Sequence, residues 1–234
     1  MKMPFFYSRL CACFSLFLSG VLGQQMAHAQ VNYYKQPTMV VEAGLRPVAY
    51  RGDLQPGFQH WDAAFDVALL LKANKRLTPG LVLAHGRATG QNLLATFISG
   101  QDAEPNRYFR TTFTSMGFQG KFSVLKKDFL NIYLGQTLGV MRYTPKDEQG
   151  RSLLQQPLTR LPDEAFTGNT LLLVTAAGAT YYFKNGFGMG FQMGFQPLLT
   201  DYFDNISQAA DPPRGDQLLF FRFSGAFPLS FQQK

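Results

Sequence analysis

Few residues in this chain have the type and spacing to do chemistry. Beyond Ala29 it holds two histidines, His60 and His85, and no cysteine. A serine–histidine–acid triad would need one of these imidazoles beside an exposed serine and a carboxylate. His60 stands next to Trp61, and no motif sets either histidine beside such a serine, so no catalytic residue is assigned. Oxygen ligands are densest in Thr200-Asp201-Tyr202-Phe203-Asp204-Asn205-Ile206-Ser207. Calcium takes about 6–8 oxygen ligands, and the spacing here fits no calcium loop. Turn chemistry uses the same residue types, because Asp, Asn and Ser bond neighbouring backbone groups and end strands. No metal and no cofactor is expected. Two Arg-Gly-Asp tripeptides, Arg51-Gly52-Asp53 and Arg214-Gly215-Asp216, admit a cell-adhesion reading and an ordinary turn reading.

The elements that must position these groups are strands. From Gly186 to Leu199 the odd positions are Phe187, Met189, Phe191, Met193, Phe195, Pro197 and Leu199, while the even ones are mainly glycine and glutamine. Strand side chains alternate between faces, so one face is greasy and the other small and polar. Leu219, Phe221, Phe223, Phe227, Leu229 and Phe231 alternate in the same way with Arg222, Ser224, Ala226 and Ser230. Trp61 to Lys72 repeats the pattern. A soluble sandwich would carry Lys, Glu and Thr on its second face. Here that face is Gly, Gln and Ser, which suits the narrow interior of an eight-stranded barrel, and the Phe and Leu opposite suit lipid.

Eight such segments are read: 38–50, 58–72, 80–89, 109–124, 129–143, 170–184, 186–199 and 217–231. The expected fold is all-β, an eight-stranded antiparallel up-and-down transmembrane barrel occupying residues 30–234. The connections support it independently. Residues 51–57, 90–108, 144–169 and 200–216 form the odd-numbered loops, and 73–79, 125–128 and a tight Lys184-Asn185-Gly186 turn form the even ones. Long outer loops alternating with short periplasmic turns are a barrel signature, and Asn-Gly accepts the positive φ of a hairpin turn. Tyr50, Phe58, Trp61, Tyr133, Tyr143, Tyr181, Tyr182 and Tyr202 fall near strand ends, where interfacial aromatic girdles are expected.

The N-terminus reads as a signal peptide over residues 1–29. Lys2 and Arg9 precede an apolar run, and Ala27-His28-Ala29 offers the small-residue cleavage site. Both cysteines, Cys11 and Cys13, lie inside this segment, so the mature chain has no disulfide or thiol chemistry. Of the 22 basic residues, Lys2 and Arg9 leave with the signal; the remaining 20 against 15 acidic ones are spread without a block. Nucleic acid is therefore not an expected partner.

On the small-residue face the strands place charges of both signs: Glu42, Arg46, Asp62, Asp66, Lys72, Lys121 and Arg222, with His85 and Arg87 as further candidates and His85 within conceivable reach of Asp66. In a closed interior such charges must be paired, so they are read as an ion-pair network filling the lumen. A conducting path is the alternative.

A resemblance adds to this. Gly139-Val140-Met141-Arg142-Tyr143-Thr144-Pro145-Lys146, a loop with Leu154-Gln155-Gln156-Pro157-Leu158, the glycine-rich hairpin, and Thr200 to Ser207 together resemble an uncharacterised family of small outer-membrane β-barrels of Bacteroidota; Gly86-Arg87-Ala88-Thr89-Gly90 also fits. The family carries Asp where this chain has Asn205 and Val where it has Ile206. The resemblance implies the barrel fold and the outer membrane, and no activity. The expected role is structural or surface-interacting, without enzymatic activity. The barrel is expected to be a monomer in outer-membrane lipid, with an extracellular or envelope protein as partner for loops 144–169 and 200–216. A small pore, a lipid-modifying enzyme and a soluble barrel holding an apolar ligand are the alternatives.

Overall fold

The computed structural model describes residues 39–71, 76–95, 97, 104–127, 129–156, 159–160, 167–183, 187–206 and 214–229. The signal segment, Lys72, the Lys184–Gly186 turn, Ser207 and Phe231 lie outside them. The strands are β1 (Met39–Arg51), β2 (Trp61–Leu71), β3 (Leu77–Gln91), β4 (Tyr108–Lys126), β5 (Leu130–Lys146), β6 (Asn169–Tyr182), β7 (Gly188–Pro197) and β8 (Gln217–Leu229). Each pairs antiparallel with the next, and β8 returns to β1, so the sheet is a closed eight-stranded up-and-down barrel. The long connections leave from one end and the short ones from the other.

Alternation decides which way each residue points. In β7, Met189, Phe191, Met193 and Phe195 are exposed on the outer wall while Gln192, Gly194 and Gln196 are buried. In β2, Phe65 and Val67 face out while Ala64, Asp66 and Ala68 face in. The outside is an apolar band to which every strand contributes, including Leu45, Leu83, Phe118, Leu138, Leu171 and Phe223.

Three details depart from the sequence reading. Pro79, read as the last residue of the 73–79 turn, pairs with Gly120 three residues into β3; near a strand start its missing N–H donor is tolerated. β4 runs on to Lys126 through a bulge at Ser123–Leu125, where an extra residue bends the strand. Tyr50, Tyr133 and Tyr143, read as girdle residues, are at most 2% exposed and point into the lumen. Each shares parity with an inward neighbour, Tyr50 with Val48 and Tyr143 with Met141, and parity overrides position along the strand.

The inward face is therefore not uniformly small. Small residues on one strand make room for large ones on the next. A Cβ on Gly194 would sit 2.1 Å from the Phe220 ring, and one on Gly178 would sit 2.7 Å from the Tyr133 hydroxyl. Elsewhere the constraint is backbone against backbone: a Cβ on Gly139 would fall 2.1 Å from the Met116 carbonyl oxygen and 2.5 Å from the Gly117 Cα. Gly139→Val must therefore push β4 and β5 apart, and a loss of about 2–3 kcal/mol is expected. Gly215→Ala, whose Cβ meets nothing within 4 Å, serves as the neutral control. Urea unfolding from lipid vesicles, followed by the single tryptophan, Trp61, checks both; equal midpoints for the two variants would contradict this packing.

Candidate functional site in the lumen and at the mouth

Inside the barrel, charges from four strands converge. Glu42 (β1), Asp66 (β2), Lys121 (β4) and Arg222 (β8) are each at most 4% exposed. The Lys121 ammonium donates to both Glu42 oxygens at 2.7 Å. Arg222 spans the two acids: Nη1 donates to Glu42 at 2.6 Å, and Nε donates to both Asp66 oxygens at 2.7 and 2.9 Å. Arg46 lies beside them, its guanidinium carbon 3.6 Å from the centre of the Phe220 ring and its Nη2 donating to Gln196 at 3.1 Å. The Lys121–Glu42 pair ties β1 to β4 across the lumen, where no backbone ladder joins them. Each ion taken from water carries a desolvation penalty of several kcal/mol, which only this mutual pairing offsets. The space left between Arg46, Asp66, Gln119, Gln192 and Arg222 is a cavity of about 20 Å³, on the order of what one water needs.

Other charges read as interior lie elsewhere. Asp62 sits beyond the last β2–β3 ladder pair and accepts from Arg87 Nε at 3.1 Å and Thr89 at 2.7 Å, apart from the central cluster. His85 and Arg87 are on the outer wall: His85 pairs with Thr114 at 2.8 Å and packs against Phe65, so it does not meet Asp66. The reason is again parity, since Ala84, Gly86 and Ala88 occupy the inward positions of β3.

At the long-loop end the segment after β7 turns into the barrel. Phe203, wholly buried, packs among Tyr50, Phe109, Phe113 and Tyr143 with ring centroids 5.7–6.4 Å apart. Thr111 holds its carbonyl at 2.5 Å. Asp204 Oδ2 accepts from the Tyr50 hydroxyl at 2.8 Å and the Leu54 amide at 3.1 Å, and Oδ1 accepts from the Ile206 amide at 2.9 Å. Asn205 takes the left-handed conformation at φ 71°, which asparagine tolerates better than most residues. Its amide nitrogen donates to Asn106 and Thr159 at 3.0 and 2.8 Å. Thr200 meets the Tyr143 hydroxyl at 2.9 Å. Tyr202 is half-buried against this core, and Asp201 stands beside the acids. The oxygen-rich run thus works as a plug, with the Asp204 carboxyl engaged by two backbone amides and a tyrosine.

The two Arg-Gly-Asp tripeptides belong to the same plug. Asp216 accepts from the Phe203 amide at 2.9 Å and its Oδ1 meets the Tyr50 hydroxyl, and Asp53 accepts from the Arg214 amide at 2.6 Å. Both carboxylates are at most 8% exposed, so neither tripeptide presents its acid to a receptor. Burial, followed by the charge of Asp204, raises Asp53 to about 8 and lifts Asp216 well above the usual range. Burial also raises Asp204 to about 7, against the pull of its amide donors. Sequence reading placed Asp53 and Asp216 in the Arg-Gly-Asp tripeptides without bringing them together, and it missed Asn106 and Thr159. Nothing local marks these two; the four meet only across the mouth.

Solved structures share this architecture. Neisserial surface protein A aligns at a TM-score of 0.54 with 10% identity, over 82% of this chain and 97% of that chain. Ail, the attachment invasion locus protein of Yersinia pestis, aligns at 0.48 with 9% identity, over 82% and 98%. OprG from Pseudomonas aeruginosa aligns at 0.43 with 9% identity, over 84% and 97%. No protein-family model and no curated protein matches the chain in sequence. The likeness to the Neisserial protein establishes the fold, that of the small outer-membrane barrels.

Two outcomes are expected. Glu42→Ala leaves Lys121 and Arg222 facing each other and should lower stability by about 3–5 kcal/mol. The double variant Glu42→Met, Lys121→Met, which removes one charge of each sign, should lose markedly less in the same urea titration; equal losses would contradict the pairing. The mouth should respond to pH. Above the ordinary carboxylate value of 3.8 the unfolded chain releases protons that the closed mouth retains up to about 7 and 8. Closure is therefore strongest below that window and weakens as pH rises through it. Hydrogen exchange corrected for intrinsic rates should show the Leu54, Phe203 and Ile206 amides less protected at pH 9 than at pH 6, with a smaller difference in Asp53→Asn.

Proposed function

We propose that this protein is an outer-membrane barrel with a structural or surface-interacting role, exported through a signal peptide cut after Ala29, whose lumen does not conduct. The observation that carries this reading is double closure: the ion-pair cluster fills the middle and Phe203 fills the mouth. The apolar outer wall supports the membrane. Leu45, Phe65, Met116, Phe118, Leu171, Met189 and Phe223 are each more than half exposed, and together they far exceed the apolar patch a soluble monomer shows. The same wall argues against a soluble ligand binder. Kinship with the Bacteroidota barrels, read from residues 139–207, belongs to this proposal, as does interaction through the long loops with an extracellular or envelope partner.

Among the described residues no catalytic constellation supports an enzyme: His85 pairs with a threonine on the outer wall. A pore reading would need a path past the central cluster, where the cavity between Arg46, Asp66 and Arg222 measures about 20 Å³.

The test is one preparation of the native outer-membrane fraction. The folded protein should migrate as a detergent-resistant band that shifts on boiling, its N-terminus should begin at Gln30, and in planar bilayers it should give no channel steps. Stable single-channel conductance in the wild type would overturn the sealed lumen. Recovery in the aqueous fraction would overturn the membrane.

A further inference from the structure

The apolar outer wall ends at different heights around the barrel. On β3–β6 the ladder sets Leu83, Met116, Val140 and Leu171 side by side in one row, each more than half exposed. The next outward row toward the long loops is His85, Thr114, Arg142 and Asn169. Above it come Arg87, Thr112 and Thr144, then Thr89, Arg110 and Lys146. Outward neighbours lie about 4.8 Å apart across strands and about 6.7 Å apart along them. Arg110, Arg142 and Lys146 thus share one small patch with three threonine hydroxyls between them, directly above the lipid-facing surface.

Two features point to an anion. Arg110 and Lys146 are paired directly across the β4–β5 ladder on the same outward face, an arrangement of like charges that is unfavourable by itself. Among the described residues no carboxylate pairs with Arg110, Arg142 or Lys146; Arg87 alone has one, in Asp62. The patch is also local. At the same end of the barrel the outward residues of β7 and β8 are Phe195, Leu219 and Phe221, and Trp61 stacks on Phe221 at 5.3 Å.

We propose that the outer wall of β3–β5 binds the phosphorylated headgroup of an outer-leaflet glycolipid. Its acyl chains pass down the wall over Leu83, Met116 and Val140, its phosphate sits between Arg110, Arg142 and Lys146, and the threonines meet the sugar hydroxyls. Guanidinium–phosphate hydrogen bonds are charge-assisted and bidentate. A headgroup anchored by its own chains at this depth meets all three cations together, which a free phosphate in solution does not. This inference rests on the membrane reading above.

The experiment uses the full mature chain, delipidated and refolded into phosphatidylcholine nanodiscs containing either phosphorylated or dephosphorylated lipid A, with lipid retention read by native mass spectrometry after detergent exchange. Wild type is expected to keep phosphorylated lipid A, and Arg110→Gln, Arg142→Gln, Lys146→Gln together should lower retention by about tenfold or more. Lys127→Gln, at the short-turn end, should retain it as wild type does. Equal retention by the triple variant, or equal retention of the dephosphorylated lipid, overturns the proposal. Displacement by millimolar inorganic phosphate overturns it in favour of a soluble anion. The boiling shift of the same samples separates the two claims: a shift without lipid selectivity sinks only this inference, and no shift sinks the membrane reading beneath it.

Discussion

Closing eight strands on themselves leaves an interior about as wide as the side chains that line it, and every other feature of this protein follows from how that interior is filled. Alternation gives each strand one vote per residue, inward or outward, with no intermediate. An inward aromatic must find a glycine or alanine beside it, as Phe220 finds Gly194 and Tyr133 finds Gly178. An inward charge must find its opposite. Filling the lumen is thus a problem of matching partners across strands far apart in the chain, and Glu42, from the first strand, is matched by Lys121 and Arg222 from the fourth and eighth.

The interior is built in layers. The short-turn half holds the Lys121–Glu42 pair under Tyr133, and the Arg222–Asp66 pair with Arg46 and Phe220 occupies the middle. The long-loop end is aromatic, centred on Phe203. The plug is held mainly through acids that burial and mutual charge raise above the usual carboxylate range. A neutral carboxyl can be buried beside tyrosine and backbone amides with far less penalty than a carboxylate. That is how Asp53, Asp204 and Asp216 share one mouth without repelling one another apart.

Outside, the same alternation exposes two surfaces in succession. The apolar band comes first, and on β3–β5 it gives way within one row to cations and threonines. These strands are the longest of the barrel, so they carry their polar ends higher than their neighbours do.

Much of this was legible beforehand. Period-two runs such as Phe187 to Phe195 and the long–short rhythm of the loops are local properties of the chain, and they determined strand number, orientation and which face is apolar and outward. The parity that sends Tyr50 and Tyr143 inward was legible too, although their place near strand ends suggested a girdle. What only the tertiary structure decided is which residues meet: that Asp62 leaves the central cluster for Arg87, that His85 faces outward, that two Arg-Gly-Asp tripeptides turn their acids into one plug, and that Arg110 lies opposite Lys146. Local alternation is set by the geometry of a single strand. Partnership depends on strand register and on loop paths across the mouth, which are settled only when the last strand closes on the first.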